Sequence, residues 1–176
     1  MAEPVQILTP PRPVRVAGPP ADIIELVMAD HRRIRRLSAA LEDMARWGND
    51  SVWMLSHSWL RLASLLEVHT RAEEEICYLP ATRGHPDRTG HLRVAVADHG
   101  DLREAIAEAS LCQPGSASWW RAVRVILDSH AGHFDREERG LLAGGVAGLS
   151  ACHRRELGRQ WCAFVAAWRN DAALPG

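Results

Sequence analysis

Apolar residues recur along most of this chain at three- and four-residue intervals, the spacing that gathers them on one face of a helix. Ile23, Val27, His31, Ile34, Leu37, Leu41 and Met44 form the first stripe, which ends at Trp47-Gly48, where glycine offers a stop. This predicts a helix over 22–46. Asn49, Asp50 and Ser51 supply capping oxygens for a second run, in which Leu55, Trp59, Leu62, Leu66, His69, Glu73, Ile76 and Pro80 share a face. A turn-rich stretch from Thr82 through Gly84 and Pro86 to Gly90 separates the halves. The third stripe carries Leu92, Val96, His99, Leu102 and Ile106 until Gln113-Pro114-Gly115-Ser116 breaks it. The fourth begins near Ser116 or Ser118 and runs through Val123, Ile126, His130, His133, Glu137 and Leu141 before Gly144-Gly145 relaxes the chain. Leu157, Trp161, Phe164, Val165 and Trp168 predict a fifth helix that covers one side. No strand pattern competes, so the expected fold is all-α: an up-down four-helix bundle over 22–142, with a covering helix in 143–176.

The first 21 residues depart from this periodicity. Pro4, Pro10, Pro11, Pro13, Pro19 and Pro20 deny the segment a regular helix, and it lacks the apolar core of a secretion signal. It reads as a flexible arm. With 176 residues the chain is long enough for one domain with a substantial core, and 21 basic against 22 acidic residues give no nucleic-acid footprint. No apolar run reaches the roughly 18 residues of a membrane span. Cys77, Cys112, Cys152 and Cys162 fall in no Cys-x-x-Cys spacing, which points to reduced thiols and a cytoplasmic location rather than a disulfide framework.

What remains on the apolar stripes is chemistry. His69-x-x-x-Glu73 followed by Glu74, and His133-x-x-x-Glu137 followed by Glu138, are two copies of one pattern, each preceded by an Asp-His pair, Asp30-His31 and Asp98-His99. Residues four apart lie one turn from each other on the same helical face, so each pair presents a nitrogen and a carboxylate to one small volume. In an antiparallel bundle such groups meet only if they lie equally far from their shared turn. His31 stands about 15 residues before the end of helix one and His69 about 18 after the start of helix two, a mismatch of roughly 4 Å. Similar sums hold for His69 with His99 and for His99 with His133. A lone core histidine is commonly just a hydrogen-bonded residue. Four imidazoles and two carboxylates converging in one apolar layer demand a cation, because unpaired buried charge is the costly case. Imidazole and carboxylate together accommodate iron, manganese or zinc.

The order His31, His69-x-x-x-Glu73, His99, His133-x-x-x-Glu137 resembles the hemerythrin-like family, the HHE cation-binding domain, over roughly residues 22 to 142. The resemblance implies a helical bundle with a non-haem diiron site: two iron ions bridged by Glu73 and Glu137 and by a solvent oxo or hydroxo group, with His31, His69, His99 and His133 as nitrogen ligands. Manganese or zinc are the lesser alternatives. One departure stands out. Arg103 occupies the helical position after His99 where oxygen-carrying hemerythrins place a second histidine, which argues against simple oxygen storage and for an open coordination position on each metal.

Other residues near the stripes have open roles. His130, one turn before His133, is a further ligand, a proton relay or a packed core imidazole. Cys77 and Tyr78 read as packing residues beside the site. Asp30 and Asp98 diverge from their neighbouring histidines by about 100°, which leaves either support of a histidine on the adjacent helix or a solvated role. Arg32, Arg33, Arg35 and Arg36 read as a solvated face paired with acids. The functional expectation is an oxidoreductase that meets O2, H2O2 or a small-molecule substrate, without nucleic acid or membrane. Reversible binding of O2, NO or iron as a sensor or store is the alternative, and a metal-stabilised structural bundle the third reading.

Overall fold

The computed structural model describes residues 21–48, 51–83 and 89–173; the proline-rich arm over 1–20 lies outside them. Helix α1 (Ile23–Arg46) is capped by the Asp22 carboxylate, which accepts from the Ile24 N–H at 3.0 Å. Its other carboxylate oxygen holds Arg154 at 2.7 Å and so ties this end of the bundle to the last helix. Ser51 caps α2 (Val52–Ala72), which continues through a π-helical turn, Glu73–Cys77, into the short α3 (Tyr78–Thr82) as a single rod. The third rod is α4 (Thr89–Leu111). Gly115 turns the chain at φ +87°, a conformation that favours glycine, and Ser116 caps α5 (Ala117–Glu137). A π-helical segment, Glu138–Gly145, and a 3₁₀ turn, Val146–Gly148, carry the chain to α6 (Ala151–Ala173).

The five rods confirm the all-α reading: four form the bundle and α6 covers one side, packed on α1 and α2. The structure corrects three boundaries. Gly90 belongs to α4 rather than to the preceding turn. Neither the second nor the fourth stripe stays a plain α-helix to its end, since each passes into π-helix at its glutamate pair.

Two apolar clusters fill the bundle. The larger contains Ile34, Leu41, Leu62, Leu66, Ile106 and Trp119; the smaller, nearer the α1 start, contains Ile23, Val27, Ile76, Leu141 and Trp161. Every bundle rod crosses from one cluster to the other at its histidine or, on α5, between His133 and Leu141. The polar layer is therefore sealed above and below by hydrocarbon, which removes water and strengthens every electrostatic interaction inside it.

Candidate metal centre

The six residues of the repeated pattern meet in that layer. His31, His69, Glu73 and His99 have no exposed surface, and His133 and Glu137 almost none. Their ligating atoms fall into two groups, within each of which the atoms lie no more than 4.8 Å apart: His31, His69, Glu73 and Glu137 in the first, and Glu73, His99 and His133 in the second. Glu73 belongs to both. One of its oxygens lies 3.0 Å from His69 Nε2 and 3.4 Å from His31 Nε2, and the other 3.4 Å from His99 Nε2. Glu137 Oε2 stands 3.4 Å from His31 Nε2 and 3.7 Å from His133 Nε2.

Three of the four imidazoles turn Nε2 inward and give Nδ1 to an outer carboxylate. His31 meets Glu138 at 2.8 Å, His99 meets Glu74 at 2.9 Å, and His133 meets Asp98 at 3.3 Å. Each carboxylate is backed by an arginine: Arg35 on Glu138 at 2.9 Å, Arg103 on Glu74 at 2.8 Å, and Arg136 on Asp98 at 2.6 Å. Asp30 approaches His69 Nδ1 only to 3.9 Å, beyond hydrogen-bond range. Partial burial works against ionisation of Glu74, Asp98 and Glu138. The histidine and arginine hydrogen bonds nonetheless hold all three carboxyls below their ordinary range. Such partners fix the imidazole tautomer and aim its free lone pair at the centre.

This outer ring was only half legible. Asp98 does support a histidine on the neighbouring helix, whereas Glu74 and Glu138 carried no assigned role although the doubled glutamate was visible. Glu74 and Glu138 stand at the start of the π-helical segments, each directly after its ligand glutamate. A π turn adds one residue, so it rotates the helix beyond it by about 100°. The same rotation brings Tyr78 in from beside the stripe: it is buried, with its hydroxyl 3.1 Å from His99 Nε2, while Pro80 leaves the core face. Cys77 is buried too but lies in neither donor group, and burial pushes its thiol up. His130 also lies outside both groups, with Nε2 2.7 Å from Ser38 Oγ and its ring stacked on Phe134. Arg35 of the basic tract pairs with Glu138 and Asp135, as a face matched to acids requires.

Whether a cation suits these donors is answered by their unmet valence. Nε2 of His31 and His69 and all four oxygens of Glu73 and Glu137 are buried without a hydrogen-bond partner. Leaving so many polar atoms unpaired is expensive, and a cation at their focus satisfies them together. The charges agree. Against the effect of burial, Glu137 and Glu73 hold the His31 imidazole up to about 10, and Glu73 and Glu74 hold His99 up to about 9. Burial and the Glu73 charge push Glu137 up to about 7. Two carboxylates enclosed together thus draw in positive charge, as protons or as metal.

A family model, the hemerythrin HHE cation-binding domain, matches residues 22–143. The chain belongs to the hemerythrin HHE family. No curated protein and no solved structure matches it significantly. The family match spans the four bundle rods and both donor groups, and it leaves α6 outside. As a member of a cation-binding family with a buried His/Glu cluster, the protein is metal-binding. Among the described residues, no helix is long and apolar enough to cross a membrane.

Proposed function

We propose that this hemerythrin-like domain is a non-haem diiron protein that reacts with O2 or H2O2, acting as an oxidoreductase on peroxide or on a small metabolite. The observation that supports the reading best is the sharing of Glu73 between two buried donor groups. His31, His69, Glu73 and Glu137 would hold one ion, and Glu73, His99 and His133 the other. Once bound, the pair supplies Lewis acidity and the electrons for reduction of an oxygen species.

The chain's own residues set the conditions. Glu138, Glu74 and Asp98 hold three histidines in the tautomer whose Nε2 lone pair faces the centre. Arg103 stabilises Glu74 instead of adding a nitrogen, so among the described residues the second group has three donors from His, Asp, Glu or Cys. Tyr78 keeps its proton, because burial and the nearby Glu73 and Glu137 charges push its hydroxyl far up, and it is placed to donate a hydrogen bond beside His99. Phe134 and Trp161 pack on His31 and His69 and keep water from the first group.

Iron analysis with optical spectra under argon, then with O2, then with H2O2, tests the proposal. Two irons per chain and a spectrum that decays with peroxide consumption or product formation are expected. An oxygenated spectrum that reverses under vacuum would instead establish a carrier or store. One ion per fully folded chain would remove the two-metal reading altogether.

A further inference from the structure

The two donor groups are unequal. Four side chains make up the first, His31, His69, Glu73 and Glu137, and three the second, Glu73, His99 and His133. Tyr78 stands at the poorer group. Its ring is stacked on His99 with centroids 5.5 Å apart, and its hydroxyl lies 3.1 Å from His99 Nε2, the same atom that lies 3.4 Å from Glu73 and 2.9 Å from His133 Nε2. Only 2% of the residue is exposed, so this hydroxyl depends on partners inside the protein.

The backbone places it there. Glu73 and Tyr78 flank one π-helical turn, and the Tyr78 N–H bonds to the Glu73 carbonyl. In a plain α-helix a residue five positions on points away from the first. The π turn brings the two side chains to one centre, a use such turns often have at functional sites.

His99 serves the Tyr78 hydroxyl only while it holds no metal. Its Nδ1 is engaged by Glu74 at 2.9 Å, and a cation bound at Nε2 ends the hydrogen bond that this atom makes with Tyr78. A buried hydroxyl deprived of its partner is costly. Its oxygen already faces the place where the cation sits, and coordination satisfies it. The pull of burial and of the Glu73 and Glu137 charges, which keeps the proton on Tyr78, describes the metal-free chain. A bound cation inverts that local field, and it strips the proton from a coordinating side chain such as a thiol outright.

We infer that Tyr78 is a ligand of the second metal position, its phenolate oxygen joining Glu73, His99 and His133 as a fourth donor. On loading, the O–H bond breaks, a bond from oxygen to metal forms and the proton leaves to solvent, with no electron transferred. The inference deepens the proposed metal centre and rests on it.

Tyr78 is the only tyrosine of the chain, so any phenolate signal is its own. The full-length protein, loaded with iron and oxidised in air, should show a visible phenolate-to-iron charge-transfer band, and resonance Raman excitation in that band should enhance phenol-ring vibrations. Tyr78→Phe keeps the packed ring and should lose both signals. It should also bind the second ion at least roughly tenfold more weakly in competition with chelators, the least that loss of even an outer partner commonly costs. The wild-type Raman spectrum decides the matter even if the variant folds poorly. Absence of phenolate vibrations, or a band that Tyr78→Phe leaves unchanged, would overturn the inference. Two irons per chain without a phenolate signal would overturn it alone, whereas a phenolate signal with one iron per chain would count against the two-metal reading alone. A folded chain that takes up no iron would overturn both.

Discussion

At the level of single residues, the centre is arranged as two matching halves. Asp30, His31 and Arg35 recur as Asp98, His99 and Arg103, and His69, Glu73 and Glu74 recur as His133, Glu137 and Glu138. Each half lends its outer glutamate to the other: Glu74 follows the second rod's ligand pair yet holds His99, and Glu138 follows α5 yet holds His31. Replacing such outer partners commonly costs 10–100-fold in metal affinity, by letting the imidazole turn and lose basicity. Glu138→Gln should thus weaken the first metal position by roughly that factor and Glu74→Gln the second, as read by metal titration with competing chelators. Equal loss at both positions from either change would mean that the outer carboxylates do not act on individual histidines. His130 gives a contrast. Exchanging it for leucine should leave metal stoichiometry unchanged, because its ring faces Ser38 and Phe134 rather than the donor groups.

At the level of elements, the π-helical segments explain where reading the stripes succeeded and where it stopped. Positions up to Glu73 and Glu137 keep a helical period, so the six histidines and glutamates could be placed on the core face from spacing alone. Beyond those points the added residue shifts the register, and hydrogen bonding decides it: the Tyr78 N–H reaches back to the Glu73 carbonyl, five residues away. No local pattern of apolar residues encodes that choice. The second π segment also packs directly on α3. A β-carbon at Gly145 would stand 2.8 Å from the Ala81 carbonyl oxygen and 2.9 Å from its Cβ. Gly145→Ala should therefore lower stability by about 1–3 kcal/mol through overpacking against backbone that has little room to yield, measured by urea or thermal unfolding.

At the level of the whole molecule, the layer of charge between two apolar clusters couples folding to protons and metal. In the metal-free chain His31 and His99 hold their protons up to about 10 and about 9, against 6.5 for an ordinary histidine. A group whose folded value is raised stabilises the fold fully below its unfolded value and loses that contribution as pH rises through the folded one. The metal-free protein should therefore lose this stabilisation between about pH 6.5 and 10, seen as a falling unfolding midpoint, while the metal-loaded protein should not. Loading near neutral pH should also release protons, those of His31 and His99 together with what His69 and Glu137 still hold, so at least about two per chain, countable by titration in weak buffer. Removal of the metal by a chelator should lower the midpoint at every pH in that range, since the ion binds only the folded arrangement. The covering helix belongs to the same scale. Trp161 closes the small cluster over His69, and Trp161→Ala should cost about 3–5 kcal/mol, read from the shift in the urea unfolding midpoint.

The order and spacing of apolar, histidine and glutamate residues determined the helices, their number and the face on which the six donors lie, because each follows from the repeat of a single helix and from equal depth along antiparallel rods; the family was legible only as a resemblance of the histidine and glutamate order. Tertiary structure alone decided that Glu74 and Glu138 support histidines on distant helices and that Tyr78 turns inward. Those features depend on register shifts inside helices and on the sideways distance between rods, quantities that a one-dimensional pattern of polarity does not contain.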